Sequence, residues 1–382
     1  TGLIRWLIPA AAALAFARWS PLALARQPIQ GVAVLLGYVA AAQLLPSEYL
    51  ALLPAALIAA LALTGNRATL PALGTAAALS LLWALEPLRI WLTAGGFALV
   101  GVPVYVTALP ELSPLAIRIA LPVLALILLL WRKPLPERVR IPAIAAAALL
   151  ATITVHVLWK QLFAIADLDA FAARGLAERT LWEMLLLGAA MLAWRLGAKR
   201  IATGLGAASL LHLAWFSLGL HNPLWDMQAV GPWLVPAYGT GFGLIWLSRY
   251  VTDDPAAARA RGGAQIALIL FFALSALSQF FHGNYLMSGE VSQSEDIGRS
   301  LLAIGIAIGF LQWGIRTSAR DWRIASLVLM LAAVGKVFLR DAAGLDGLLR
   351  IASFAALGFS LIGVGWLYSR YLPDSRLAKQ ED

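Results

Sequence analysis

Histidine, lysine and carboxylate side chains lie scattered among long apolar runs of this sequence, and they are the groups best able to do chemistry. Histidine titrates near neutral pH, so His212 beside Glu183 or Glu178 could act in acid–base chemistry. His156 and Lys160 are four residues apart and would share a helical face. We therefore predict a polar site without a defined reaction. Its candidate members are His156, Lys160, Glu183, His212, His221, Asn222, Asp226, His282, Lys336, Arg340 and Asp341.

Aromatic side chains accompany amides and a carboxylate in the segment HNPLWDMQAVGPWLVPAYG, residues 221–239. Aromatic faces beside such groups suit sugar rings or amphipathic headgroups. The alternative is a belt of aromatic side chains at the membrane interface, with prolines that end helices. The candidate substrate contacts are Trp215, Trp225, Trp233 and Tyr238.

Metal and cofactor motifs do not occur in the sequence. There is no cysteine, and no two histidines have the three- or four-residue spacing of a zinc-binding helix. Phosphate-binding loops, nucleophile elbows and dinucleotide fingerprints are also missing. We predict neither a metal nor a cofactor.

The composition sets the class of protein. Of the 382 residues, 61% are hydrophobic and only 13% are charged, whereas an average soluble domain has about 25% charged residues. So few charges exclude a soluble enzyme, a nucleic-acid-binding module and a disordered chain. The net charge of +9 is explained by Lys and Arg on cytoplasmic loops. Membrane lipids are therefore the expected partners, and nucleic acid is not.

Continuous apolar runs predict an all-α polytopic bundle with about fourteen transmembrane helices. Two of these predicted helices cover residues 70–85 and 90–109. The predicted domains are about six N-terminal helices, two four-helix units and a tail, namely residues 1–138, 139–262, 263–371 and 372–382.

An internal repeat is indicated in the second half. When Glu178 is aligned on Glu295, Gly188 coincides with Gly305 and Gly197 with Gly314. His212 then falls near Lys336. This favours a tandem parallel repeat of two four-helix units. Chance similarity between helices rich in Leu, Ala and Gly is the alternative.

The connections between predicted helices give the orientation. Basic residues recur in every second connection of the second half, for example Arg195, Lys199 and Arg200. Because cytoplasmic loops are enriched in Lys and Arg, these connections and the C-terminus are predicted to be cytoplasmic. The four histidines then all lie toward the outer side. In the first half the charges give no clear orientation.

Three segments resemble a known family. They are RIASLVLMLAAVGKVFLRDAAGLDGLLRIASFAALGFSLIGVGWLYSRY, LWKQLFAIADLDAF and FHGNYL, which begin at residues 323, 158 and 281. They are similar to the C-terminal membrane portion of a bacterial membrane-protein family, domain-of-unknown-function family 2339. The resemblance implies an inner-membrane location and a longer chain. The remainder of that chain, or a separate subunit, would then be a further partner. It implies no activity.

Three functions fit these observations. The first is an envelope protein with a periplasmic polar site for a lipid-linked or glycan substrate. The second is a multi-helix transporter, and the third is a membrane scaffold for partner proteins. We expect His212 and Lys336 to line one outward-open cavity. The alternatives are a satisfied contact between helices for His212 and a side chain reaching the headgroups for Lys336.

Overall fold

The fold is helical throughout the described part of the chain. The structure, a computed structural model, describes residues 2–19, 23–64, 70–251 and 254–339, with scattered positions between 355 and 366. An isolated β-bridge joins Ala229 to Tyr285. The all-α fold is thus confirmed. The chain divides into two compact units, Thr1–Phe171 and Ala172–Asp382, which are described separately.

The first unit contains eight helices among its described residues, and two of them, α3 and α6, are only one turn long. Its core forms where α5, α7 and α8 meet and includes the buried side chains of Ile119, Val123 and Val157. A π-helical segment, Ala116–Ala120, joins α6 to α7. The helices are α1 Gly2–Trp19, α2 Ala23–Ala41, α3 Ser47–Leu50, α4 Leu52–Leu63, α5 Leu70–Leu99, α6 Leu112–Leu115, α7 Leu121–Arg132 and α8 Glu137–Phe163.

The second unit is built from long helices, the first of which begins just before the unit boundary. A π-helical segment, Leu213–Leu220, continues α10, and a short 3-10 turn, Gly231–Trp233, precedes α11. Its apolar core includes Leu176, Val230 and Leu268. The helices are α9 Leu168–Arg195, α10 Lys199–His212, α11 Leu234–Ser248, α12 Pro255–His282, α13 Gln293–Arg316 and α14 Arg320–Leu339.

Six described helical segments are long and apolar enough to cross a membrane, as judged by length and composition. Large apolar side chains such as Leu192 and Leu211 are exposed, while Glu183 and Glu295 are fully buried. This reverses the usual arrangement of a soluble protein and suits a lipid environment. The six are Leu70–Leu99, Leu112–Arg132, Glu137–Phe163, Lys199–Leu220, Pro255–His282 and Gln293–Arg316. The total of fourteen stays a prediction, since the last predicted span falls mostly outside the described residues.

One continuous helix replaces two predicted ones. The separate helices expected over 70–85 and 90–109 are a single helix, α5, which ends at Leu99. Pro87 lies inside α5 and is buried, and transmembrane helices tolerate proline because neighbouring groups satisfy the freed backbone. Gly101 ends the helix with a φ of 91°, a conformation that glycine adopts without strain.

Helices α9 and α10 form a hairpin, and α13 and α14 form another with the same turn. In the first, Ala198 N donates to Ala193 O; in the second, Ala319 N donates to Gly314 O. Gly197 and Ser318 hold the equivalent left-handed position, with φ of 79° and 54°. The shared turn therefore makes Gly197 equivalent to Ser318. The sequence alignment had matched Gly197 with Gly314, which lies about one helical turn before Ser318.

The division of the chain falls between Phe171 and Ala172. The predicted boundaries after residues 138 and 262 do not coincide with it and stay a prediction. Within the second unit, the loop before α11 meets the loop after α12, because Val230 N donates to Asn284 O at 2.8 Å. We call this end of the unit the histidine end.

Candidate functional site

Each of the three histidines of the second unit contacts a carboxylate. His212 Nδ1 lies 2.8 Å from Glu183 Oε1, and His221 Nδ1 lies 2.8 Å from Asp226 Oδ2. In the third pair, His282 Nε2 lies 2.7 Å from Glu295 Oε2. An ionised carboxylate only accepts hydrogen bonds, so the ring nitrogen is the donor in each pair when the acid is charged. The three pairs together form the candidate site.

Glu183 is the acid of the first pair. It lies in the middle of α9, and none of its surface is exposed. Its Oε1 accepts from His212 and also from Ser217 Oγ at 2.6 Å, and its backbone oxygen accepts from Ser209 Oγ at 3.0 Å. All three partners come from α10 and its π-helical extension, so a single helix fixes the carboxylate.

The π-helical segment is what brings His212 and Ser217 to the same oxygen. In a regular α-helix, residues five apart point in directions roughly 140° apart. Here the backbone bonds at i→i+5, as His221 N to Phe216 O at 2.8 Å shows. This places residues five apart on one face of the helix. Single π-helical segments are frequent at functional sites for this reason.

His212 is oriented by Glu183 while its second ring nitrogen stays open. The side chain is 23% exposed, and Nε2 has no hydrogen-bond partner within the described part of the chain. Phe216 packs on the ring with centroids 4.9 Å apart. An imidazole fixed by a buried carboxylate through one nitrogen can exchange a proton at the other. Since Ser217 donates to Glu183, the arrangement is not a serine nucleophile activated by histidine.

A second network ties the loop 221–230 to α9. Arg179 is buried, and its Nη2 donates to His221 O at 3.1 Å and to Gln228 Oε1 at 3.3 Å. Gln228 Nε2 donates in turn to Asp226 Oδ2 at 3.3 Å. Burial raises the pKa of Asp226, but the hydrogen bond from His221 and the charges of His221 and Arg179 outweigh this and leave the pKa below its usual value.

The remaining loop residues of the prediction divide into buried and exposed groups. Asn222 is fully buried and donates to Tyr238 OH at 3.4 Å; Tyr238 OH lies 3.1 Å from Ser275 Oγ. These two residues therefore connect α11 to the loop and to α12. Trp233 packs on the apolar core. Trp225 is 43% exposed, and Trp215 is more exposed still, so both can meet a ligand or lipid.

Glu295 is the acid of the third pair and lies in the first turn of α13. None of its surface is exposed. Its Oε1 accepts from Arg299 Nη2 at 2.8 Å and from Ser278 Oγ at 3.4 Å. With His282 on the other oxygen, this carboxylate is shared between α12 and α13.

Lys336 reaches the carboxylate next to Glu295 in sequence. Its Nζ lies 2.9 Å from Asp296 Oδ2 and 2.8 Å from Ser300 Oγ. The lysine thus joins α14 to α13 through an ion pair. The contacts of Lys336 and those of His212 involve different residues, and the shared cavity stays a prediction. Arg340 and Asp341 lie outside the described residues.

The first unit contains His156 and Lys160, both in α8. Trp91 Nε1 donates to His156 Nδ1 at 3.1 Å, and the two rings meet edge to face. Because indole only donates, His156 carries its proton on Nε2 and is neutral. Lys160 lies one turn later, near the end of α8.

Several site residues were not among the sequence candidates. They are Arg179, Ser217, Gln228, Glu295, Asp296 and Arg299. Arg179 precedes an apolar run by only a few residues, and a buried charge in such a run is itself a signal of function or pairing. Ser217 gave no signal, because serine is common in transmembrane helices and the π-helical register is not visible in the sequence.

The helices and buried polar pairs define a multi-pass helical membrane protein. The chain belongs to the family described as "Predicted membrane protein (DUF2339)", whose match covers residues 3–371. This confirms the family resemblance found in the sequence. No curated protein and no solved structure matches the chain.

Proposed function

We propose that this chain is a multi-pass protein of the bacterial inner membrane whose periplasmic polar site handles an envelope lipid-linked or glycan substrate. The main support is the pair of His212 with Glu183. The buried carboxylate fixes one nitrogen of the ring, and the partly exposed ring keeps Nε2 open. Such a histidine can accept a proton from a hydroxyl group, and sugars present many hydroxyls.

The orientation in this proposal follows the arginines. Arg195, Arg249 and Arg316 lie at the ends of α9, α11 and α13, opposite the histidine end. The positive-inside rule assigns such ends to the cytoplasm, together with the C-terminus. The histidine end, with exposed Trp225 beside it, then faces the periplasm, where lipid-linked glycans are within reach.

The experiment compares two histidines by the same substitution. Full-length protein is purified in nanodiscs of bacterial lipid extract, and the bound lipids are identified by native mass spectrometry. We expect a glycan-bearing lipid on the wild type and at least a tenfold loss of it in His212→Ala. His156→Ala is the matched control and should retain the lipid, because His156 is held by Trp91 in the other unit. Equal lipid profiles in all three proteins would contradict the proposal.

A proton-coupled transporter is the second candidate, and the depth of one pair favours it. His212 lies eight residues before the end of its segment at Leu220, so the pair lies below the outer end of a helix long enough to cross a hydrocarbon core about 30 Å thick. Liposomes loaded with a pH-sensitive dye test this function. A transporter would dissipate an imposed pH gradient faster with wild-type protein than with Glu183→Gln, whereas a lipid-handling protein would show equal rates.

The tandem repeat of four-helix units is also part of the proposal. The identical turns of hairpins α9–α10 and α13–α14 support it. Two loop contacts support it further: Val106 N donates to Ile165 O in the first unit, and Val230 N donates to Asn284 O in the second. In both cases the loop before a helix pair bonds to the loop that follows the pair.

A further inference from the structure

The end of the second unit opposite the histidine end contains an open cavity between α11, α12, α13 and α14. Its volume is about 580 Å³, within the range of small-molecule sites. Arg249 and Gln265 line one side, and Trp313, Thr317 and Trp322 line the other. We call it the basic-end cavity.

Aromatic rings form one wall of the basic-end cavity. Phe310 and Trp322 meet edge to face with centroids 5.1 Å apart, and Trp313 lies 6.4 Å from Trp322. Indole rings are stable where hydrocarbon meets water, because one end of the ring system is apolar and the other donates a hydrogen bond. This wall suits the upper part of an acyl chain.

The rim of the basic-end cavity offers mainly hydrogen-bond donors. Arg249 is exposed, and its guanidinium has no hydrogen bond or ion pair to any residue that the structure describes. Arg316 and Arg320 are the sequence neighbours of the lining residues Thr317 and Ala319, at the turn between α13 and α14. Arginine recognises phosphate through paired N–H groups. The rim therefore favours an anion.

A cavity in the first unit lacks both the aromatic wall and the basic rim, and it serves as a comparison. The space between α4 and α7 measures about 330 Å³ and is lined by leucine and alanine, for example Leu52, Ala56 and Leu124. Those side chains can contact an acyl chain but cannot fix a headgroup. The basic-end cavity has both an aromatic wall and a cation.

We propose that the basic-end cavity binds an anionic phospholipid, with its phosphate on Arg249 and an acyl chain along Trp313 and Trp322. Basic pockets between transmembrane helices bind anionic headgroups in this way. The site is separate from the histidine pairs and does not depend on the proposed function. It would select phosphatidylglycerol over phosphatidylcholine.

Two pairs of variants of the full chain test the site. Arg249→Gln removes the charge, and Arg259→Gln removes an exposed charge from α12 at the same end but outside the cavity. Gly309→Leu fills the cavity, and Gly305→Leu adds the same side chain one turn earlier on α13. Neither glycine has an atom within 4 Å of an added Cβ, so both variants should fold.

Native mass spectrometry of nanodiscs with a minor fraction of phosphatidylglycerol gives the readout. We expect Arg249→Gln to weaken retention of phosphatidylglycerol about fivefold, the effect of one basic side chain near a membrane surface. Gly309→Leu should abolish retention, and both control variants should match the wild type. If Gly309→Leu retains the lipid, or if all four variants lose it equally, the proposed site is wrong.

Discussion

In the hairpin α9–α10 the polar pair is His212 with Glu183, and in the hairpin α13–α14 it is Lys336 with Asp296. The turns have the same hydrogen bonds, yet the pairs differ in burial. Glu183 is fully buried, whereas the Asp296 side chain is 27% exposed. The same turn is therefore combined with a buried pair in one hairpin and with a partly exposed pair near the helix ends in the other.

The difference follows from the position of each basic residue along its helix. His212 comes fifteen residues after Gly197, and Lys336 comes eighteen residues after Ser318, which holds the equivalent place in the turn. Three residues are nearly one turn, or about 4.5 Å of rise. Lysine remains charged near neutral pH and needs water or a carboxylate nearby, whereas histidine can stay neutral deeper in the membrane.

Glu183→Ala should have the largest effect. The change leaves His212 and Ser217 without their shared acceptor, and removal of one partner from a buried pair costs about 3–5 kcal/mol. Asp296→Ala should cost about 1 kcal/mol or less, since that pair is partly solvated. Denaturant unfolding in detergent micelles measures both. Equal losses would mean that burial does not distinguish the hairpins.

Ser217→Ala should have the next largest effect. It removes a 2.6 Å hydrogen bond to a buried carboxylate, which should cost about 1–3 kcal/mol of unfolding free energy. Ser300→Ala is the counterpart in the other hairpin. Because Lys336 still pairs with Asp296 in this variant, we expect a loss of about 0.5–1 kcal/mol of unfolding free energy. The same unfolding assay applies, and a larger loss for Ser300→Ala would reverse the comparison.

The shared turn predicts changes of opposite sign. Gly197→Ala places a Cβ in the left-handed region and should cost about 1–2 kcal/mol. Ser318→Gly relieves the same strain, partly offset by about 0.5–1 kcal/mol of backbone entropy, so the variant should gain less than about 1 kcal/mol. Thermal unfolding of the two variants would show the contrast. Loss of stability in both would mean that the turns are not equivalent.

Asp226 should give the smallest effect, and that effect should disappear in acid. Its pKa is below its usual value of about 3.9 in the folded protein. The carboxylate therefore contributes stability above this value, and the contribution is lost as the pH falls through the lower, folded pKa. Asp226→Asn should flatten the acid limb of the stability profile between roughly pH 4 and 2. An unchanged limb would show that His221 does not stabilise the charge.

Sequence patterns predicted the helices better than their breaks. The apolar runs predicted a helical chain, and the described part of the second unit is helical, because transmembrane segments must be continuous in hydrophobicity. They divided α5 in two, because residues 86–89 contain Pro87 between two charged side chains and resemble a break. In lipid, a proline within a packed helix is tolerated, and the sequence alone does not show the packing.

The candidate site was predicted in part. The sequence offered Glu183 or Glu178 as the acid beside His212, and the structure pairs His212 with Glu183. The partner of Lys336 is Asp296, which was not among the sequence candidates. Pairing between helices depends on the relative height of two segments to within one turn, and predicted helix ends carry errors of about 2–4 residues.

The sequence by itself determined the class of protein and its family. Sparse charge and long apolar runs require a helical membrane protein, since only internally hydrogen-bonded helices satisfy the backbone within such runs. Only the tertiary structure decided which polar groups meet. Arg179, Glu183 and Ser217 acquire their roles from the packing of α9 against a π-helical segment whose register no residue pattern specifies. That register places His212 and Ser217 on one carboxylate oxygen and leaves one nitrogen of His212 open.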